Sequence, residues 1–347
     1  MKKLLAIALV LILCLSSFVG CAAKEEAAPA EAPAAAPEEA PAEAPAEAIV
    51  LKIGHDSADT VPVSVGLFEF ERLVEERTNG AVQVEVYNNG ILGSASDYVV
   101  NCQMGTLEIG AVNQSVLSSF IEDLPAVDIP YVIESYEHAD AVFTGEVGEH
   151  YAAEVRDVLG LEVLGIWEVG FRNLTNSKRA VNSFEDVAGL RIRTMSNEVH
   201  QAFWKGAGAD PVPMSWGEAY TAMQQGAIDG QENPLSIIVG NNVYEVNNHL
   251  AITEHVYSSQ FIVMSSAAWG ALTPEQQTIV KEACLEAGVV EREASRQQAQ
   301  EAIDFLTENG MEITYPDKQA FIDYGAEFRK DYADKYGEVL AMIEAAK

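Results

Sequence analysis

From Thr273 to Asn309 the chain keeps helical periodicity with no interruption stronger than Gly288. Thr273-Pro274-Glu275 marks where such a helix begins, because the fixed φ of proline suits a first turn, and Asn309-Gly310 marks where it ends. At 1.5 Å of rise per residue this helix is roughly 50 Å long. That exceeds one small lobe, so the segment predicts a body of two lobes with a single helix running along both.

The rest of the body is consistent with two α/β lobes. Ile49 to His55 reads as a buried strand ending at a loop. Val65 to Thr78 carries Leu67, Phe68, Phe70, Leu73 and Val74 at helical spacing, Asn79-Gly80 stops it, and Val82 to Tyr87 alternates as a strand. A strand, helix, strand start predicts parallel neighbours, with ligands beyond the carboxyl ends of the strands. His55 and Asn113 fall at such ends. Strand patterns recur at Leu107 to Val112 and Glu162 to Trp167, and a later block from Phe184 to Ile238 has its own strand at Leu190 to Arg193 and helix at Trp216 to Gln225. Lobe crossings are expected near Gly170, near Ser258 and within the long helix. The first lobe is then 49–170 plus 258–298, and the second 171–257 plus 299–347.

The start of the chain reads as an address. Lys2 and Lys3 precede an apolar run from Leu4 to Leu15 that falls short of the ~20 residues needed to span a bilayer. Ser16-Ser17-Phe18-Val19-Gly20-Cys21 then resembles a bacterial lipobox, so residues 1–20 are expected to be removed and Cys21 lipidated. An ordinary signal peptide with an incidental cysteine is the alternative. Residues 21–48 are almost wholly Ala, Pro and Glu, a composition that cannot bury enough apolar surface to fold. They read as a disordered tether extending at ~3.1 Å per residue where proline dominates.

The formal net charge is −32, of which the body carries −28. Such a surface repels phosphate backbones, so no nucleic-acid partner is expected, although a few arginines in a cleft can still hold an anion. Cys14 lies in the signal, leaving Cys102 and Cys284 as two buried thiols or one disulfide. There is no His-Glu-x-x-His, no glycine-rich phosphate loop, no Gly-x-Ser-x-Gly and no histidine spacing suited to a metal. The chain is therefore expected not to be an enzyme and to need no cofactor and no metal.

Four strings narrow the reading: Gly170-Phe171-Arg172-Asn173-Leu174-Thr175-Asn176, Leu190-Arg191-Ile192-Arg193, Gly208 to Met214, and Asp229-Gly230-Gln231-Glu232-Asn233-Pro234. Together, in order, they resemble the solute receptors of tripartite ATP-independent periplasmic (TRAP) transporters, the DctP-like group. The Arg-x-Arg strand and the Asp-Gly-Gln-Glu-Asn-Pro string are the specific signals. The resemblance implies a periplasmic-binding-protein-like α/β fold of two lobes with a cleft between them. It also implies a ligand carboxylate held by Arg193, helped by Arg172, with Asn233 and the aromatic Trp216 beside it. The chemistry fits, because guanidinium is planar, permanently charged and grips a carboxylate with two parallel hydrogen bonds. His55, Asn113, Gln260 and Phe171 are further pocket candidates by position, and Glu232 is expected to bind the backbone or lobe partners instead of acting as a base.

The implied function is an extracytoplasmic, lipid-anchored receptor on the periplasmic side or outer face of the cell membrane. It would bind a small organic acid (a sugar acid, dicarboxylate or aromatic acid) by hinge closure and hand it to the TRAP membrane permease subunits. Trp216 hints at an aromatic or sugar-acid cargo. A receptor for an ATP-driven transporter or a sensor shares the two-lobe plan, and an exported esterase or lyase is a more distant alternative.

Overall fold

The computed structural model describes Ala48–Lys347. The expected signal, Cys21 and the tether up to residue 47 lie outside the described residues. Among the described residues ten strands form the frame: β1 Ile49–Gly54, β2 Val82–Tyr87, β3 Ile109–Asn113, β4 Leu161–Asn176, β5 Arg191–Thr194, β6 Asp210–Pro213, β7 Gly230–Pro234, β8 His249–Ala251, β9 Tyr257–Ser265 and β10 Glu312–Thr314. Their order is β2-β1-β3-β9-β4-β7-β5-β6, with β8 joining β4 to β10. β1 is parallel to both β2 and β3, as the opening alternation predicts. β5 is likewise parallel to β6 and β7, whereas β9 runs antiparallel to β3 and β4.

β4 connects the lobes. Its first part, Leu161 to Phe171, pairs with β9 in the first lobe, and Arg172 to Asn176 pairs with β7 in the second. Register shifts at Val163/Gly165 and Glu168/Gly170 bend it, and Gly170 supplies a φ of 109° that few side chains tolerate. The periodicity of Glu162 to Trp167 located only the first part of this 16-residue strand. The bend breaks the alternation that would have revealed the rest.

The long helix is Pro274–Glu308, 35 residues, or about 50 Å. Thr273 Oγ1 accepts from Gln276 N (3.3 Å) and Gln276 Oε1 accepts from Thr273 N (2.9 Å), satisfying two donors that a helix start otherwise leaves unpaired. Val280, Ala283, Cys284 and Ala287 enter a core with Leu51, Ile53 and Leu67 of the first lobe. Ala302 and Leu306 enter another with Met223, Ile228 and Leu250 of the second. Gly288 does not weaken the helix without return. A Cβ there would lie 2.6 Å from Trp167 Nε1, and the indole uses that space to donate to Cys284 O at 3.1 Å.

One placement departs from the expected lobe boundaries. Helix Ala333–Ala345 lies against helix Glu146–Glu154 and the 3-10 turn Leu124–Asp128, first-lobe elements, and Ile343 O accepts from His138 Nε2 at 2.8 Å. The chain therefore returns to the first lobe after helix Lys318–Lys330. Cys102 and Cys284 are free and buried, and burial pushes both thiols up to about 12. Among the described residues no helix is long and apolar enough to cross a membrane.

Candidate functional site

The ends of β1 and β3 on one side, and the strands β4, β5 and β7 on the other, converge on a cavity. Seven of the residues singled out in the sequence line it: His55, Asn113 and Gln260 from the first lobe, and Arg172, Arg193, Trp216 and Asn233 from the second. Phe171 does not. Neighbouring residues of a strand point to opposite faces, and Phe171 turns away from Arg172 to pack edge-on against Tyr136 (5.1 Å between ring centres) and Tyr257 (5.3 Å).

The two arginines are held in different ways. Arg172 is 1 % exposed and is clamped by Glu232 on the adjacent strand: Nε donates to Oε2, and Nη2 donates to Oε1 (3.0 Å) and to the backbone carbonyl. Its Nη1 donates to Ser258 Oγ at 3.3 Å. Arg193 is 3 % exposed and forms no ion pair with the described residues. Its Nε and Nη2 both donate to Met214 O, at 3.0 and 2.8 Å, and its guanidinium lies 5.4 Å from the centre of the Trp216 ring. Burial, opposed by Glu232 and reinforced by Arg172, lowers Arg193 to about 10, so it remains charged at neutral pH. Trp216 thus supports the arginine on its face, and its Nε1 donates to Asn241 Oδ1 at 3.4 Å.

Glu232 does bind partners within the protein, as expected. Burial alone would raise its pKa, but Arg172 and the histidines His200 and His255 outweigh burial and hold it well below the usual carboxylate range. Burial lowers the pKa of His255 and keeps the ring neutral. Its Nε2 donates to Glu232 (3.1 Å) while its Nδ1 accepts from Thr253 Oγ1 (2.9 Å). His200 sits between two buried carboxylates, 3.5 Å from Asp128 and 3.8 Å from Glu232. Asp128 belongs to the first lobe and accepts from Gln114, Ser115, Ser118 and Asn197.

Sequence reasoning passed over several cavity residues, chiefly Asp56, Ser57, Ser94, Ser96 and Met214. Asp56 had a usable signal, since it follows His55 at the same strand end. His200 and Asp128 had none, being 72 positions apart and joined only by tertiary folding. Across the cleft the lobes touch at its two rims. Thr60 Oγ1 donates to Gly240 O (3.0 Å) at one, and Ser119 Oγ donates to Ser196 O (3.0 Å) at the other.

A buried cation and convergent polar groups between two lobes joined by a strand and a long helix define a ligand-binding receptor of the two-lobe class. The family model described as bacterial extracellular solute-binding protein, family 7 (DctP) matches residues 53–335, and the chain belongs to that family. It is similar to the 2,3-diketo-L-gulonate-binding periplasmic protein of Escherichia coli, 31% identical over 79% of this chain and 83% of that protein. It also resembles two solved TRAP periplasmic solute-binding proteins. The one from Polaromonas, bound to D-erythronate, has a TM-score of 0.83 and 32% identity, and covers 86% of this chain and 99% of that one. The one from Sulfurospirillum deleyianum, with bound succinate, has a TM-score of 0.82 and 28% identity with the same coverage. The chain is thus a DctP-like TRAP solute receptor.

Proposed function

We propose that this receptor captures a small organic carboxylate outside the cytoplasm, closes its lobes on it, and presents it unchanged to a TRAP permease driven by an ion gradient. The observation that carries the reading is Arg193, a buried guanidinium on the cavity wall whose hydrogen bonds among the described residues go to a neutral carbonyl, Met214 O. Arg172 is neutralised by Glu232, so among the described residues a carboxylate entering the cleft meets Arg193 as a cation free to pair with it. Charge-assisted hydrogen bonds of this kind contribute about 1.5–3 kcal/mol each. The aromatic support under Arg193 and the double bond to Met214 fix its orientation beforehand, which lowers the entropy lost on binding. Asn233 donates from Nδ2 to Gln231 Oε1 (2.6 Å) and has a second N–H for the same carboxylate. Anchoring through a lipid on Cys21 is part of this reading, and the Ala/Pro/Glu composition of residues 21–48 suits it.

A thermal-shift screen of organic acids, run in parallel on wild type and Arg193→Ala, tests the proposal. A ligand at a hundred times its Kd adds about 2.7 kcal/mol of stability. One acid should raise the wild-type midpoint and leave that of Arg193→Ala unmoved, and the ligand recovered from the complex should have an unaltered NMR spectrum. If no acid shifts the midpoint, or if both proteins respond alike, the reading fails.

A further inference from the structure

The lobes also meet in a buried polar contact outside the cavity. Asp128, at the end of the 3-10 turn Leu124–Asp128, accepts hydrogen bonds from its own lobe through Gln114 (2.9 Å), Ser115 (2.6 Å) and Ser118 (2.8 Å). It reaches the second lobe at two further points. Asn197 Nδ2 donates to its Oδ2 at 2.7 Å, and His200 Nε2 lies 3.5 Å from its Oδ1. The other ring nitrogen of His200, Nδ1, lies 3.8 Å from Glu232 Oε1 of the second lobe. Each nitrogen of this ring, 2 % exposed, thus faces a different carboxylate. A neutral imidazole has a single N–H and would turn a bare lone pair toward one of the two, whereas the imidazolium offers a donor to both.

Both second-lobe partners of Asp128 lead to the cavity. Asn197 follows Arg193 by four residues, and Met195 and Ser196 between them line the cavity. Asn197 Oδ1 also accepts from Val199 N (2.9 Å) and His200 N (3.0 Å), which fixes the start of the helix that carries His200. Glu232, on the far side of His200, is the clamp of Arg172. One first-lobe carboxylate is therefore joined to the segment that follows one cavity arginine and to the partner of the other.

We propose that His200 is a positioning residue: as imidazolium it bridges Asp128 of the first lobe to Glu232 of the second, holds the lobes together, and ties closure of the receptor to a proton. This goes beyond the receptor reading and does not depend on which acid the cleft takes or on Arg193 as its anchor. Opening carries Asp128 away and leaves the ring with Glu232 alone, so the proton is held more firmly closed than open. Burial alone would lower the pKa of His200, but Asp128 and Glu232 raise it to about 9 in the closed arrangement. The bridge is complete below the open-form value and is lost as pH rises through about 9. The groups that act on the two carboxylates from neighbouring elements keep their charge over that range. His255, beside Glu232, is kept neutral by burial; the Tyr151 phenol, which Asp128 acts on, is held protonated by burial first and by Asp123 and Asp128; and Arg193, at about 10, acts on Glu232 as a cation.

Small-angle scattering on the purified protein, dialysed free of organic acids and measured from pH 6.5 to 9.5, tests this. The radius of gyration of wild type should rise with pH. His200→Gln should show the expanded value at every pH. Asp128→Asn, which keeps the shape of the side chain and removes its charge, should begin to expand about one pH unit lower than wild type, and it carries the test if melting curves show that the glutamine variant is unfolded. A wild-type radius that does not change over the range would overturn the proposal. So would an expansion that His200→Gln repeats, or one that Asp128→Asn leaves at the wild-type pH. Each of these results leaves the receptor reading standing, because no ligand enters the measurement.

Discussion

Arg193 and Glu291 are both buried charged-type residues, and they differ in what burial does for function. Replacing Arg193 with lysine keeps the charge but loses the planar fork that holds Met214 O and lies on Trp216. Affinity for the carboxylate should therefore fall roughly 10- to 100-fold by calorimetry, with little change in the melting point of the free protein. Glu291 accepts from Glu168 N (3.0 Å) through Oε2, while its Oε1 has no partner. Burial first, and repulsion from Glu168 second, push its carboxyl well above the usual 4.5. A carboxyl that holds its proton more tightly when folded makes folding less favourable as pH rises past its unfolded value. Glu291→Gln should accordingly raise the melting point at pH 8, and the gain should shrink toward pH 4; a lower melting point at pH 8 would mean the ionised form is held by the fold. Arg193 and Asn233, which line the cavity, were legible in the sequence because the strings that hold them resemble those of a known family. Asp56 was passed over because an aspartate beside a loop is ordinarily a solvated one, although its place after His55 at the strand end pointed to the cavity it lines.

At the scale of elements, strands and helices were readable wherever periodicity was unbroken, as in β1, β2 and the helix Pro62–Arg77. The destination of a buried face was not. The apolar stripe of Ala333–Ala345 announces burial, yet nothing local says that its partner is the first lobe. The same limit hid the cluster in which helix Glu198–Gly206 brings His200 between Asp128 and Glu232. Burial alone would lower the pKa of His200, but the two carboxylates push it up to about 9. Its folded pKa therefore lies above the ordinary 6.5, so its contribution to stability is fully present below pH 6.5 and is lost as pH rises through about 9. Thermal melts between pH 6 and 9.5 should show a decline in wild type that His200→Gln lacks. That variant, leaving buried Asp128 without its cation while Glu232 keeps Arg172, should also lose about 3–5 kcal/mol at pH 6 in denaturant titrations.

The whole molecule must open to admit its ligand and close to retain it, and the geometry of one rim shows how tightly the lobes meet. Val61 and Thr60 of the first lobe lie against Gly240 of the second, where a Cβ would come within 2.7 Å of Val61 Cγ1. Gly240 is not at a positive φ, so an alanine there is acceptable to its own lobe and obstructs only the approach of the other. Only the closed form lets His55, Asp56 and Gln260 reach a ligand held by Arg193, so a receptor kept partly open should bind with one wall alone. Gly240→Ala is therefore expected to melt near the wild-type temperature without ligand, bind more weakly, and release faster. Small-angle scattering should show a smaller contraction on ligand addition than in wild type. An affinity and a contraction equal to those of wild type would mean that Val61 yields at little cost, and that closure is set instead at the opposite rim, where Ser119 meets Ser196.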